Sequence, residues 1–355
     1  MDWILIASVI LLVSFSLLSL YSSSLGRGDF SRLEKQIGFA GIGLFLMFLF
    51  SFFDWRALKE SPHFVLIAYI LCLIVLVGLF TSLAPEIRGT KSWYKIGPFL
   101  ADPIDLIKVV LITVLAKYFS MRHVEMYRIK HIFLSSVYVL LPSMLIFLQP
   151  NLGSALILVA IWLGILAVSG ISLRQVLILA LCFIIIFVLS WSFFLKDYQK
   201  DRIRDFLYPI DPLGSGWSQN QSKIAIGSGG FLGQGIGKGS QTQYGFLPEP
   251  QTDFIFSAAA EETGLAGVAA LFSLFSILIW RVIRIGLAAR SNFPRLFASG
   301  FVILLVSQIF INIGMNIGLL PVIGISLPFI SYGGSSLLVL FIALGIIQNI
   351  KLNPA

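Results

Sequence analysis

Cysteine, histidine and charge are all scarce in this chain. Its 355 residues include 2 cysteines and 3 histidines, and charged residues make up only 12%. Cys72 and Cys182 both fall inside apolar runs, so no disulfide framework and no thiolate metal site is expected. His63, His123 and His131 fall in polar turns, which argues against a zinc site. Nucleotide motifs are missing too. The glycines between 227 and 239 are not followed by Lys-Ser/Thr at P-loop spacing, and no strand precedes them as a dinucleotide fingerprint requires. No nucleotide cofactor is therefore expected. Soluble domains average about 25% charged residues, so a content of 12% excludes an ordinary soluble domain.

What the chain has in excess is apolar surface, with 57% hydrophobic residues. A bilayer-crossing helix needs roughly 20 apolar residues. Runs of that kind lie at 3–21, 37–53, 64–83, 103–120, 132–148, 152–169, 175–195, 254–280, 296–320 and 331–350. They do not alternate, as the strands of a membrane barrel would. The expectation is an all-α integral membrane protein of about ten transmembrane helices, forming one polytopic domain over 1–355. The first run has no basic segment before it and no small-residue cleavage site, so it is taken as a retained helix.

The net charge of +8 has a location. With ten spans and both termini cytoplasmic, the inner segments carry twelve basic residues, Arg281, Arg284, Arg290, Arg295 and Lys351 among them. They carry four acids (Asp2, Asp54, Glu60 and Glu125), so their excess equals the whole net charge. Positive-inside topology accounts for the basic balance, and nucleic acid is not an expected partner. The expected location is a membrane, crossed many times, which the resemblance given below makes a bacterial cytoplasmic (inner) membrane. Between spans seven and eight this topology leaves a large extracytoplasmic loop, 196–252. Its glycine series reads either as a flexible surface loop or as a re-entrant floor beneath a substrate cavity.

Four places could carry chemistry. Asp253 stands where that loop meets an apolar span. An acid there is costly unless paired or used; it is either a helix cap or a general base. Glu261, two turns deeper, should pair or line a polar cavity. In ADPIDLIK (101–108), Asp102 reads as an N-cap and Pro103 as the first helical residue. Asp105 and Lys108 share a face at i,i+3 and can pair. In LQPNLGSA (148–155), Gln149 and Asn151 are polar groups in a tight turn. In NIGMNIGLLPVIGISLPFISYGGSS (312–336), Asn312, Asn316, Ser331 and Tyr332 are the polar lining of irregular backbone, which at membrane depth must be buried or line a cavity.

Four segments together resemble the SEDS family (shape, elongation, division and sporulation): PEPQTDFIFSAAAEETG, GQGIGKGSQTQ, the QPNLGSA turn, and GLLPVIGISLPFISYGGSS. The resemblance covers nearly the whole chain. It implies a peptidoglycan glycosyltransferase that polymerises lipid II at the outer face of the cytoplasmic membrane. It places the catalytic aspartate on Asp253 and the family's carboxylate–lysine pair on Asp105 and Lys108. Departures are Asp105 for a Glu, Asn151 for an Asp, Ser154 for a Thr, and Ser92 for an Arg before Trp93. Implied partners are lipid II, the nascent glycan strand, membrane lipids and a class B penicillin-binding protein.

The chemistry is then an inverting displacement from an α-pyrophosphate to a β-1,4 bond. Asp253 takes the acceptor proton, and cations meet the leaving pyrophosphate. Candidates are Lys108, Arg202, Arg204, Lys223 and Lys238, with a divalent cation (Mg or Mn) allowed. Ser240, Gln243, Thr252 and Trp93 join the expected substrate contacts. A flippase or transporter of lipid-linked precursor is the alternative, and a recruiting scaffold a third.

Overall fold

A computed structural model of the chain describes residues 1–353 apart from 82–83, 85–91, 98, 123–128, 150, 194–199 and 201–215. Among the described residues there are thirteen helices. The first eight are α1 (Trp3–Arg27), α2 (Ser31–Ser51), α3 (Arg56–Glu60), α4 (Pro62–Gly78), α5 (Pro103–Arg122), α6 (Ile129–Leu148), α7 (Leu152–Val168) and α8 (Leu173–Phe193). Then follow α9 (Trp217–Ser228), α10 (Ser240–Gln243), α11 (Ile255–Ala288), α12 (Asn292–Ile317) and α13 (Gly334–Leu352). Among the described residues the one exception to helix is a hairpin before α5. Its strands, β1 (Tyr94–Ile96) and β2 (Phe99–Ala101), pair antiparallel with Tyr94 opposite Ala101.

Each of the ten apolar runs coincides with one helix. Six of these helices (α1, α2, α6, α11, α12 and α13) are long and apolar enough to cross a membrane. Two others, α4 and α7, have 17 residues each. α5 carries Asp105, Lys108 and Lys117 within its length. Helix ends follow local chemistry. α1 starts where the Asp2 carboxylate accepts from Leu5 N at 3.0 Å and stops at left-handed Gly28. α2 begins at Ser31, six residues before the apolar run, because Arg32 and Gln36 use its first turns for contacts described below. α13 begins at Gly334, so Ser331 and Tyr332 lie outside it.

The core is a layered packing of these helices. α2 lies along α13, and α1 along α11. α12 contacts α11, α5 and α7. Leu5, Leu12, Ile112, Leu115, Phe297, Phe301 and Phe341 are among its fully buried side chains.

The polar groups sort to opposite ends of the bundle. At one end Asp2 is enclosed by Arg281 and by Lys351 at 2.8 Å, while its main-chain N–H donates to Gln348 at 2.7 Å. Burial alone would raise the Asp2 carboxyl, but bonds from Arg281, Lys351 and Leu5 outweigh it and hold the group at about 2. Trp55 joins the same end, stacked on Phe293 and bonded to Asn349 and Asn353. The other end gathers Arg32, the start of α5, the turn before α7, residues 230–253 and residues 318–335.

The segment read as either a surface loop or a re-entrant floor is, in its described part, built into the helices. From 216 to 252 it contains α9 and α10. The apolar run 254–280 is not one continuous helix: α11 extends to Ala288 but breaks at Gly264, whose φ of 64° and ψ of −164° are non-helical. The loop 229–239 fills that break. Gln234 N donates to Glu261 O at 2.9 Å and Gly235 N to Glu262 O at 3.0 Å. In return Leu265 N donates to Gly230 O and Ala266 N to Phe231 O, each at 3.0 Å. The four backbone groups freed by the break are thus satisfied by one loop, as a helix interior away from water requires. Glycine is needed where the backbones meet. A Cβ on Gly233 would lie 2.1 Å from Glu262 O, and one on Gly264 2.3 Å from Gly233 N.

Candidate active site

Asp253 does not cap its helix. The N-cap of α11 is Phe254, with no side-chain hydrogen bond. Asp253 belongs to the turn just before it, and three successive main-chain carbonyls of that turn are held from outside. Gln251 O accepts from Tyr332 N at 2.8 Å, and Thr252 O from the Ser331 hydroxyl at 2.7 Å. Asp253 O accepts two side-chain amides, Asn312 at 3.1 Å and Asn316 at 3.0 Å. Both asparagines are fully buried on α12. Asn312 also donates to Ile325 O at 2.7 Å, and Asn316 to Asn312 O at 2.8 Å. Asn316 is met in turn by the hydroxyls of Ser257 and Ser222. The main chain at Asp253 is therefore fixed independently of its side chain. Its carboxylate is half-buried and borders Gly324: a Cβ there would sit 3.7 Å from Oδ2.

A second element holds the same turn. Arg32 Nη1 donates to Gln251 Oε1 at 3.1 Å, pairs with Glu249 at 3.5 Å, and lies 5.7 Å over the Tyr332 ring. One helical turn on, the buried Gln36 donates to Ser331 O at 3.4 Å and accepts from Gly333 N at 3.3 Å. The face of α2 carrying Arg32 and Gln36 thus ties 249–252 to 331–333. Neither residue stands out in the sequence, since each is an ordinary polar residue at a helix start. The only signal is their i,i+4 spacing.

At the mouth of α5, Asp102 caps Ile104 N at 2.8 Å, while its own N–H donates to the Ser335 hydroxyl at 2.9 Å. Lys108 and Asp105 pair at 2.6 Å, with side chains only 6% and 13% exposed. The expected cap and pair are thus both present. Apolar surroundings, then the charge of Asp105, push the Asp102 carboxyl up to about 7, with Lys108 pulling against them. Ser335 and Ser331 belong to one short segment, so this mouth and the Asp253 turn flank it from two sides.

The turn before α7 approaches the same region. Asn151 caps the Ser154 N–H at 3.2 Å, and Gln149 reaches back to Leu76 O at 3.0 Å. Gly153 packs on Ile323 and Ile325, next to Gly324.

Other expected substrate contacts have partners inside the protein. Glu261, fully buried, accepts from Gln241 N at 2.7 Å, Thr242 N at 3.1 Å and the Thr242 hydroxyl at 2.7 Å, with Ser240 Oγ at 3.4 Å. It fixes α10, and among the described residues no cation pairs with it. Glu262 is met by Ser22 and by Gln243, which also donates to Ser22 O at 3.0 Å. Thr252 Oγ1 contacts Glu249 at 3.3 Å. Lys223 lies over left-handed Gly318 at the end of α12, where the helix dipole favours a cation. Lys223 and Lys238 are exposed, and Trp93 is half-buried before β1. Arg202 and Arg204 lie outside the described residues.

Comparison with known proteins agrees with this architecture. The model of the cell cycle protein family of FtsW, RodA and SpoVE matches residues 1–354. The peptidoglycan glycosyltransferase MrdB of Escherichia coli (strain K12) is 34% identical over 351 residues, covering 99% of this chain and 93% of its own. Stage V sporulation protein E of Bacillus subtilis is 35% identical over 360 residues, covering 99% and 96%. Among solved structures, one described as the structural coordination of polymerization and crosslinking by a peptidoglycan synthase complex superposes with a TM-score of 0.85 at 30% identity, covering 99% of this chain and 97% of that one. The rod shape determining protein RodA of Thermus thermophilus superposes at 0.74 with 29% identity, covering 99% and 97%. With the matched family model spanning nearly every residue, and a broken helix that carries an aspartate at its mouth, this chain belongs to the FtsW, RodA and SpoVE family of cell cycle proteins.

Proposed function

We propose that this protein is a peptidoglycan glycosyltransferase that polymerises lipid II into β-1,4 glycan, with Asp253 as general base. The observation that carries the base assignment is the fixing of the Asp253 main chain by Asn312 and Asn316 at the mouth of α11, which holds the residue in place beside Gly324. The reaction is one displacement at C1 of the donor sugar. The acceptor oxygen bonds to C1 as the C1–pyrophosphate bond breaks, and the acceptor proton passes to Asp253. The lipid pyrophosphate leaves against cations. Lys108, Lys223 and Lys238 are the described candidates. Relatives named as glycosyltransferases favour this over the transporter and scaffold readings. The direct test is glycan formation from lipid II by the purified protein.

A divalent cation, Mg or Mn, enters only as a companion of the pyrophosphate. Such ions are usually held by one or two carboxylates plus substrate phosphates. Among the described residues no three His, Cys, Asp or Glu side chains gather to hold one, so no step is routed through it.

The ten helices that coincide with the apolar runs would cross the membrane, α4 and α7 as short spans. The Asp2–Arg281–Lys351 end would face the cytoplasm with both termini, and the Asp253 end the outside. The complex of polymerisation and crosslinking found among the structural neighbours supports a class B penicillin-binding protein as partner.

Lys108→Ala is expected to lower polymerisation strongly at normal protein levels. Removing one member of a buried pair costs about 3–5 kcal/mol where the other stays charged. Here removal of Lys108 takes away the cation that pulls the neighbouring Asp102 carboxyl down, so Asp102 takes up a proton and the loss appears in activity more than in folding. Full activity of this variant would remove Lys108 from the site.

Arg32→Ala is expected to reduce the turnover rate roughly tenfold to a hundredfold, the scale of a misplacement of about 1 Å. Lipid II binding and the melting temperature should change little. Arg32→Lys should recover only part of the rate, because an ammonium cannot reproduce the fork and the stacking on Tyr332. A KM effect with unchanged turnover would place Arg32 on the substrate instead.

A further inference from the structure

At the end of the bundle opposite Asp253 is a cavity of about 240 Å³, lined by Ile285, Ala288, Ala289, Arg290, Ile350 and Lys351. One water needs only roughly 10–15 Å³, so a much larger group fits. The cavity lies between the last turns of α11 and α13. Its lining is mixed in one particular way: two cations on an otherwise aliphatic wall. Ala288, Arg290 and Lys351 are exposed at its rim.

The surroundings are cationic. Arg295 bonds Ala289 O at 2.9 Å, beside the cavity. Arg284 lies 4.9 Å and Arg281 5.8 Å over the Trp280 ring. The acid of this cluster, Asp2, is fully enclosed and already matched by Arg281 and Lys351. Among the described residues that leaves Arg290, at the rim, with no acid paired to it. Leu287 and Leu352, each next in sequence to a lining residue, are 72% and 43% exposed, and Trp280, earlier on α11, is 50% exposed. Aromatic rings under arginines, next to bare leucines, are the arrangement of a headgroup boundary. Basic pockets between helix ends take anionic lipid headgroups.

We propose that this cavity binds an anionic phospholipid. Arg290 would meet its phosphate, with Lys351 at the rim paired to Asp2, and its acyl chains would lie along Leu287 and Leu352. Charge complementarity selects an anionic headgroup over a zwitterionic one, and the exposed leucines select a lipid over a free phosphate. The site is independent of the polymerase chemistry, so the two can fail separately.

The test uses full-length protein, stripped of lipid in detergent and examined by native mass spectrometry. The probes are dioleoylphosphatidylglycerol, dioleoylphosphatidylcholine and glycerol 3-phosphate. Wild type should retain phosphatidylglycerol in preference to phosphatidylcholine and should not exchange it for millimolar glycerol 3-phosphate. Each cation near an anionic lipid surface is worth about fivefold in binding. Arg290→Gln should therefore lower phosphatidylglycerol retention about fivefold, while Arg290→Lys keeps most of it. Both variants alter an exposed side chain, and a thermal melt checks that they fold. Equal retention by wild type and Arg290→Gln would overturn the proposal. So would equal binding of the two lipids, or displacement by glycerol 3-phosphate, which would make this a site for free phosphate.

Discussion

Asp253→Asn is expected to fold normally, bind lipid II and form almost no glycan. A positioned general base contributes roughly 10²–10⁴-fold to rate, and asparagine cannot take the proton. The main-chain supports of the turn survive this substitution. Asn312 and Asn316 hold the main-chain carbonyl of residue 253, not its side chain. The N-cap of α11 is Phe254, so no cap is lost. The turn should keep its shape, and any loss of rate belongs to the carboxylate. Asp253→Glu should keep a trace at most. It lengthens the side chain at a place where Gly324 already borders the carboxylate, which moves the oxygens off line. Glycan length on a gel, beside a thermal melt of each variant, is the measurement. Polymer from Asp253→Asn at near the wild-type rate would remove the base from the mechanism.

Much of this site was legible in the sequence because its signals are local. An acid next to an apolar run needs no partner to be noticed. Asp102, Pro103, Asp105 and Lys108 form a cap and a pair within seven residues, and all of that spacing is visible along one helix. Asn151 reads only as a polar group in a tight turn, and its capping of Ser154 appears in the fold. What could not be read are contacts whose two halves are remote in the chain. Arg32 meets Gln251 across 219 positions, and nothing in SRLEKQ signals it. Glu261 shows the same limit in another form. Its burial implied a partner, but the partners are the N–H groups of α10, which lies inside a stretch that sequence alone renders as loop. The bridge between Lys223 and Gly318 is equally silent, since a lysine over a helix end has no linear pattern.

The break in α11 was the largest feature hidden from the sequence, and it yields the second large effect. A lone glycine in an apolar helix is ordinarily tolerated, so Gly264 passes as one residue of a span. In the folded chain it cannot be replaced. Gly264→Ala is expected to lose most of its folded protein, a destabilisation above about 4 kcal/mol. Two costs add. The backbone at φ 64° and ψ −164° is close to glycine-only. The new Cβ would also meet Gly233 N at 2.3 Å and Phe231 O at 2.6 Å, which are backbone atoms and cannot rotate aside. Relief requires the loop 229–239 to withdraw. Withdrawal strands the four splice bonds at Glu261, Glu262, Leu265 and Ala266 and frees the neighbours of Glu261. Gly230→Ala separates the two costs. It lies in the same loop with φ 54° but has nothing within 4 Å of its Cβ, so it should cost only the left-handed backbone, about 1–2 kcal/mol. Melting temperatures of both variants in one detergent decide the matter. Equal melting for Gly264→Ala and Gly230→Ala would mean that the loop is not wedged into the helix, and that the half-helix below Asp253 is held by something other than this splice.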